Sequence, residues 1–595
     1  MSTHADRLAA LRAHLADTGL DGFLVPIADE HGSEYVGAYA QRLAWLTGFD
    51  GSAGSAAVLP GVAALFVDGR YTLQAASQVD GEAFTIVPSV DTPLTDWLGQ
   101  NAQPGMRIGF DPWLYSEKQA TDLKAAAEGR GATLVPVAAN PIDALWSGQP
   151  APSDAPLAVQ PDTLAGRSSA EKRAEIGRFL DETGADAAVV TALDSIAWLY
   201  NVRGADVAHT PVPLAFTILH RDGTAELFVD EPKLTPEVRA HLGNAVRLAP
   251  RAGFPDALGG LSGKVVTADP ATQAHAVFEA LRAAGARVVA KRDPVALPKA
   301  IKNAAEIAGM RAAHVRDAVA IARFLHWIDG HGPSGQIDEL AAMEQLEAFR
   351  RETGALKDTS FTTIMGAGPN GAIIHYRATP ETSRRIMSGD LLLIDSGGQY
   401  QDGTTDITRT VPIGPDAATP ERRDRFTRVL QGHIAVASAR FPLGAKGCQL
   451  DGLARRPLWE AGLDYAHGTG HGVGCFLAVH EGPQRIASYG GGDEPLKPGM
   501  ILSNEPGYYK PGEYGIRIEN LVLIAEDKQA GDEKDMLAFE DLTLAPIDRR
   551  LIDPALLSAD EHAWIDAYHA HVAAEIAPLL PADVAAWLRE ACAPL

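Results

Sequence analysis

Three stretches of this chain collect the residue types that hold metal ions and move protons. The first is Leu391-Leu-Leu-Ile-Asp395-Ser-Gly-Gly-Gln-Tyr-Gln-Asp-Gly-Thr-Thr-Asp406-Ile-Thr-Arg-Thr. The second is His467-Gly-Thr-Gly-His471-Gly-Val-Gly, followed by Val479-His480-Glu481-Gly-Pro. The third is Ser503-Asn-Glu505-Pro-Gly with Gly515-Ile-Arg-Ile-Glu519-Asn. Singly these residues are ordinary, since an Asp beside Gly commonly makes a turn. Together, a carboxylate-rich set with one imidazole is the ligand chemistry of hard or borderline ions such as Mn²⁺. Such a set suits amide hydrolysis, which needs a strong nucleophile and a stabilised oxyanion. Two divalent ions a few ångströms apart supply both.

The elements that position these groups follow from local pattern. Apolar residues before Asp395, and Ile407, Thr408 and Thr410 after Asp406, predict an antiparallel hairpin. With Asp402-Gly403 as its turn, Asp406 would face Gln399 and Asp395 would lie about 13 Å along the strand. With the turn at Tyr400-Gln401, Asp395 and Asp406 face each other with Cβ atoms roughly 5 Å apart. Bare carboxylates so close repel unless cations lie between them, so the second register, with bound metal, is the expectation. The glycines around His471 let backbone approach a site closely at a cost in chain entropy. Glu505 and Glu519 follow strand-like runs (Met500-Ile-Leu, Ile516-Arg-Ile), where a half-buried carboxylate requires a cation or several donors.

Upstream, a helix over 5–18 precedes a strand Gly22-Phe-Leu-Val-Pro26, and Ala64-Leu-Phe-Val67 is another. A Pro/Ala/Ser/Gly-rich connection over 146–166 follows. The plan then repeats. A helix over 170–183 leads to Asp186-Ala-Ala-Val-Val190; Trp198-Leu-Tyr-Asn parallels Trp45-Leu-Thr-Gly, and Phe228-Val-Asp230 parallels Phe66-Val-Asp68. Two copies of one α/β fold are therefore expected, as domains 1–150 and 151–300. The third domain, 301–595, holds the chemistry. It opens on a capping box, Asn303 with Glu306, for a long helix through His326. Its tail is helical over 560–580.

A net charge of −24 argues against a nucleic-acid partner, which needs clustered Lys and Arg. Three scattered cysteines, Cys448, Cys475 and Cys592, offer neither a disulfide framework nor a thiolate zinc site and point to a reducing compartment. The first 19 residues lack the apolar core of a signal peptide, and nothing reaches the ~18 apolar residues of a membrane span. A soluble cytoplasmic protein without a membrane partner is expected. Gly366-Ala-Gly-Pro-Asn-Gly371 matches a dinucleotide pattern, but Ala372-Ile-Ile-His-Tyr376 reads as a further strand where that pattern demands a helix. His467 and His471 have no Glu between them and too much Gly for a zinc-protease helix. No Gly-x-Ser-x-Gly elbow supports a serine hydrolase. The acidic run over 526–535 reads as a solvated loop.

These motifs resemble those of the pita-bread metallopeptidases, and more narrowly the Xaa-Pro aminopeptidase (aminopeptidase P) family in its long, three-domain cytosolic form. The resemblance extends to Ile374-His375-Tyr376, Lys302-Asn303…Gly309-Met-Arg-Ala-Ala-His314, Phe49-Asp-Gly-Ser-Ala-Gly54, Ala197-Trp-Leu-Tyr-Asn-Val-Arg-Gly204 and Phe539-Glu-Asp-Leu-Thr-Leu544, so it covers nearly the whole chain. It implies two related N-terminal α/β domains and a pita-bread catalytic domain. It implies two metal ions, with Mn²⁺ favoured over Zn²⁺ or Co²⁺: Asp406 and Glu519 would bridge them, Asp395 would chelate one, and His471 with Glu505 would complete the other. A hydroxide bridging the ions would attack the Xaa-Pro carbonyl, with Glu505 as general base. His480 would contact the substrate carbonyl, His375 would shuttle a proton or position the peptide, and His467 with Arg517 would line the proline side. Peptides with proline second are the implied substrates, and a homodimer the implied assembly. An Xaa-Pro bond is a tertiary amide without an N–H, so peptidases that orient substrates through that group handle it poorly. Prolidase is the nearest alternative. A catalytically dead peptide-binding module and a metal-free amidinohydrolase are disfavoured by the complete ligand set.

Overall fold

The computed structural model describes residues 3–488 and 492–595. The chain divides into two compact units, Met1–Asp162 with Arg167–Ala296, and Thr163–Gly166 with Leu297–Leu595. Among the described residues no helix is long and apolar enough to cross a membrane.

The first unit holds two six-stranded mixed sheets. The first comprises β1 (Gly22–Pro26), β2 (Ser55–Val58), β3 (Ala63–Val67), β4 (Thr85–Pro88), β5 (Arg107–Phe110) and β6 (Thr133–Pro136), in the order β4-β3-β2-β1-β5-β6. The second comprises β7 (Ala187–Val190), β8 (Phe216–His220), β9 (Ala225–Phe228), β10 (Val246–Ala249), β11 (Val265–Ala268) and β12 (Arg287–Ala290), in the order β10-β9-β8-β7-β11-β12. Each has two antiparallel pairings running out from its first strand, a parallel one at that edge, and two parallel pairings on the other side. The expected repeat is therefore present in topology. It reaches local detail: helix α1 (Arg42–Thr47) ends on Gly48 and helix α2 (Leu193–Tyr200) on Asn201, both left-handed caps at the residue after the Trp-Leu motif's last helical position. Both faces of the first sheet are buried. Phe23, Val25, Leu65 and Val67 pack on one side, and Leu24, Ala64 and Phe66 on the other, which is why these strands read as continuous apolar runs.

The second unit begins with helix α3 (Ala304–His331), capped as expected: the Asn303 side chain accepts from Ala305 N and Glu306 N, and Glu306 accepts from Asn303 N. It runs past His326 to His331, and Gly332-Pro333 ends it. Helix α4 (Glu339–Arg351) follows. Strands β13 (Leu356–Thr359), β14 (Ile364–Ala367), β15 (Leu391–Ser396), β16 (Gly398–Tyr400), β17 (Gly403–Thr404) and β18 (Ile407–Pro412) form two small sheets, β13-β16-β17 and β14-β15-β18. Strands β19 (Arg440–Pro442), β20 (Gly470–Gly472), β21 (Glu481–Ile486), β22 (Ile501–Asn504), β25 (Asn520–Glu526) and β26 (Met536–Asp541) form a larger sheet, ordered β19-β26-β25-β22-β20-β21; β23 (Gly507–Lys510) and β24 (Tyr514–Arg517) pair separately. Helices α5 (Pro420–Ala437), α6 (Gly447–Trp459), α7 (Ala559–Ile576) and α8 (Ala582–Ala591) complete the unit; apolar residues of α5 and α7, among them Leu430, Ile565 and Val572, share one core with Ile516 and Ile518.

Two local expectations are corrected. Residues 372–376 are not a strand: a 3₁₀ turn, Gly368–Ala372, leads into a further turn, because the Tyr376 hydroxyl is drawn inward to Glu339 and Thr382. The hairpin also takes neither anticipated register. Asp395 lies opposite Thr408, Gln399 opposite Thr404 and Tyr400 opposite Gly403, so the turn is Gln401-Asp402. Tyr400 cannot occupy a turn because its ring is fully buried and its hydroxyl donates to Asp317 Oδ1 at 2.7 Å. Asp317 is itself held by the buried Arg350, at 2.8 and 3.0 Å. Asp402 instead sits at the turn and pairs with Arg316 at 2.9 Å.

Candidate metal centre

In this register Asp395 and Asp406 are diagonal rather than direct neighbours, a spacing that still lets side chains of one face meet. The ladder breaks between β16 and β15, where a Cβ at Gly397 would lie 1.9 Å from Thr405 O. This close crossing turns the chain so that Asp406 enters just ahead of β18.

His471 arrives on β20 between two glycines whose absent side chains matter. A Cβ at Gly470 would meet Ser503 O at 1.9 Å, and one at Gly472 would meet Glu481 O at 2.2 Å. The imidazole's Nδ1 lies 3.0 Å from Gly472 O. A carbonyl only accepts, so Nδ1 carries the proton and Nε2 keeps its lone pair. That lone pair faces Asp406 Oδ2 at 3.6 Å and Glu505 Oε1 at 3.5 Å. Glu505 follows β22, anchored by its N–H to Thr469 O at 2.8 Å and by Ser503 Oγ, which donates to Oε1 at 3.1 Å. Glu519 lies between β24 and β25; Thr408 Oγ1 donates to its Oε2 at 2.7 Å. Ligand atoms of Asp406, His471 and Glu519 lie within 4.8 Å of one another.

Arg517 ties the carboxylates to the rest of the pocket. It donates to Asp395 Oδ2 (2.5 Å), Thr408 Oγ1 (3.1 Å), Tyr509 OH (2.7 Å) and Ile374 O (3.4 Å). The Tyr509 hydroxyl, accepting from Arg517, lies 2.9 Å from Nε2 of His467. His467 Nδ1 donates to Gly468 O at 2.8 Å, so Nε2 accepts from the tyrosine. The His480 ring meets that of His471 edge-on, with centroids 4.3 Å apart. His375 stands on the turn whose Ile374 carbonyl Arg517 holds. The structure thus gathers all nine predicted residues into one neighbourhood. Tyr509, Thr408 and Ser503 complete it and were missed from sequence; Tyr509, two residues beyond Gly507 on a strand pairing with Arg517's, was findable by alternation.

Burial and mutual repulsion push the Asp406 carboxyl well above its ordinary range, with Glu519, Asp395 and Glu505 as the repelling charges. Glu519 is raised well above its range in the same way, first by burial and then by Glu505 and Asp395. Burial also raises Glu505, against the pull of Arg517. For Arg517, burial opposes the charge, but Tyr509, Asp395, Glu505 and Glu519 outweigh it and hold the guanidinium protonated. Asp406 Oδ1 is buried with no hydrogen-bond partner. Four clustered carboxylates, one lone-pair imidazole and an orphaned carboxylate oxygen fit divalent cations of hard or borderline type.

Comparison with known proteins agrees. The family model "Metallopeptidase family M24" matches residues 308–526 and "C-terminal region of peptidase_M24" matches 535–595. "Creatinase/Prolidase N-terminal domain" models match 7–145 and 148–306. A probable Xaa-Pro aminopeptidase P of Laccaria bicolor is 41% identical over 614 residues, covering 99% of this chain and 93% of its own. Aminopeptidase P2 of Arabidopsis thaliana is 39% identical, covering 97% and 86%. The crystal structure of an X-prolyl aminopeptidase from Caenorhabditis elegans, described as a cytosolic enzyme with a di-nuclear active site, superposes with a TM-score of 0.94 at 32% identity over 100% of both chains. A prolidase from Pyrococcus horikoshii covers only 64% of this chain, with a TM-score of 0.50 at 25% identity. The expected architecture, two creatinase-type domains ahead of a pita-bread metallopeptidase domain, is borne out. The chain belongs to the Xaa-Pro aminopeptidase family of M24 metallopeptidases.

Proposed function

We propose that this protein is a dinuclear metallo-aminopeptidase that releases the N-terminal residue from peptides with proline second, using Asp395, Asp406, His471, Glu505 and Glu519 to hold two divalent ions. The convergence of these five side chains carries the reading. Full-length likeness to named Xaa-Pro aminopeptidases supports it over prolidase, since the Pyrococcus horikoshii prolidase covers 64% of the chain. We assign Mn²⁺ as the ion, with Zn²⁺ or Co²⁺ as alternatives, and a cytoplasmic homodimer with domain limits 1–150, 151–300 and 301–595.

Bound, the ions would supply Lewis-acid polarisation of the scissile carbonyl and an acidified water. The chain's own groups do the rest. Glu505, whose Oε1 lies 3.5 Å from His471 Nε2, accepts the proton lost by the attacking water and returns it to the leaving proline nitrogen. His480, beside His471, donates toward the substrate carbonyl oxygen as charge develops there. His375 positions the peptide or passes a proton. His467, Tyr509 and Arg517, linked in series, wall the side that accepts the proline ring.

Purified protein assayed with Mn²⁺ and with chelator on Xaa-Pro-Pro, Xaa-Pro and Xaa-Ala peptides tests this. Chelator-sensitive cleavage of Xaa-Pro-Pro is expected. Equal turnover of Xaa-Ala would sink the proline assignment, and activity on the dipeptide alone would make the enzyme a prolidase.

A further inference from the structure

Between Ala372 and Leu391 the second unit has neither helix nor strand, yet this segment carries His375. A stretch without a ladder must satisfy and fix its polar groups in another way. Glu339, the first residue of α4, is 0% exposed and does so. Its carboxylate accepts from Ala367 N at 2.7 Å, Asn370 Nδ2 at 2.9 Å, Tyr376 OH at 2.8 Å and Arg384 N at 3.0 Å. In return Glu339 N donates to Arg384 O at 3.1 Å. These donors flank His375 on both sides along the chain, and Tyr376 is its immediate neighbour. On the pocket side Arg517 holds Ile374 O at 3.4 Å. The turn bearing the imidazole is thus pinned between a pocket arginine and a buried carboxylate outside the pocket.

The charge is well placed for this. A carboxylate at a helix N-terminus is favoured by the helix dipole, and four donors are what a buried ionised group requires. Any neutral replacement leaves several donors facing a weaker acceptor.

We propose that Glu339 is a positioning residue for His375: it sets the turn that aims the imidazole, touching neither substrate nor metal ligand. The inference rests on the reading of His375 as a group that handles the peptide. It predicts a loss confined to the step His375 serves, whereas a purely structural anchor would lower stability without that pattern.

A double-mutant cycle with Glu339→Gln, Tyr376→Phe and His375→Ala, read as kcat, KM and Mn²⁺ stoichiometry, separates the two. His375→Ala should lower kcat by about 10²-fold. Glu339→Gln should lower it by about 10-fold, and Tyr376→Phe by less, with KM and metal content unchanged. In the His375→Ala background neither should cost anything further. Full multiplication of the losses, an unchanged kcat in folded Glu339→Gln, or loss of metal from it would overturn the proposal. If Glu339→Gln does not fold, the Tyr376→Phe cycle decides by the same criterion. A fully active His375→Ala enzyme would instead remove the role of His375, and with it the premise, an outcome distinct from intact His375 dependence without coupling.

Discussion

Arg517 donates through Nη2 to Asp395 at 2.5 Å, setting a guanidinium against one of four clustered carboxylates while the same side chain reaches Tyr509 and Thr408. The planar fork reaches these three acceptors from three separate nitrogens; an ammonium has three donors but only one nitrogen, and cannot span them. Arg517→Lys should therefore lower kcat/KM by about 10²-fold while leaving metal content near that of the parent. Steady-state kinetics beside elemental analysis will check it. Retained kcat/KM would show that the charge alone suffices.

Asp406 shares its site with three other carboxylates and has one oxygen without a partner. Asp406→Asn should abolish activity and reduce bound metal. In the metal-free state it should also raise stability, by roughly 1–2 kcal/mol, because one buried like charge is gone. Calorimetry of chelated protein is the measurement; a lower melting temperature than the chelated parent contradicts the repulsion argument, and near-normal turnover overturns the ligand assignment.

The pH dependence of the chelated protein follows from the raised carboxyls of Asp406, Glu519 and Glu505. Their folded pKa values exceed the unfolded ones, so the native state binds more protons. Their contribution is fully present below the unfolded range near ~4 and is lost as pH rises through the folded values. Bound cations remove the repulsion. The gap in melting temperature between loaded and chelated protein should widen with rising pH, and a gap that narrows above neutrality would refute this.

Tyr509 accepts from Arg517 and donates to His467, on the side assigned to proline. Tyr509→Phe breaks both bonds without emptying the volume. Each is worth about 1 kcal/mol, so KM for Xaa-Pro-Pro should rise roughly 5-fold or more with kcat changed less. A selective fall in kcat would place the hydroxyl in the chemistry instead.

Much of the site was legible because its demands are local. The glycines at 470 and 472 announce a close approach that the contacts with Ser503 O and Glu481 O bear out, and the Asn303–Glu306 pair announces its helix. The hairpin register was not legible, since it depends on Tyr400 being claimed by Asp317, 83 residues away, and on Arg350 behind it. A one-residue shift of the turn, which moves the pairing by two, is worth little locally and is decided by that buried network. The turn bearing His375 is illegible for the same reason: Ile373 and Ile374 give a strand pattern, but Glu339 claims Tyr376 from a helix 37 residues earlier.

His471 owes its protonation pattern to the carbonyl of its own neighbour, Gly472. Many imidazole ligands are oriented by a remote carboxylate that mutation can delete. Here the orienting group belongs to the main chain, so replacing a partner side chain leaves it in place; only a substitution at Gly472 itself, where a Cβ would meet Glu481 O at 2.2 Å, would displace it. A saturation scan should therefore find many partners that tune the carboxylates of this centre, while the tautomer of its histidine responds to substitution at Gly472.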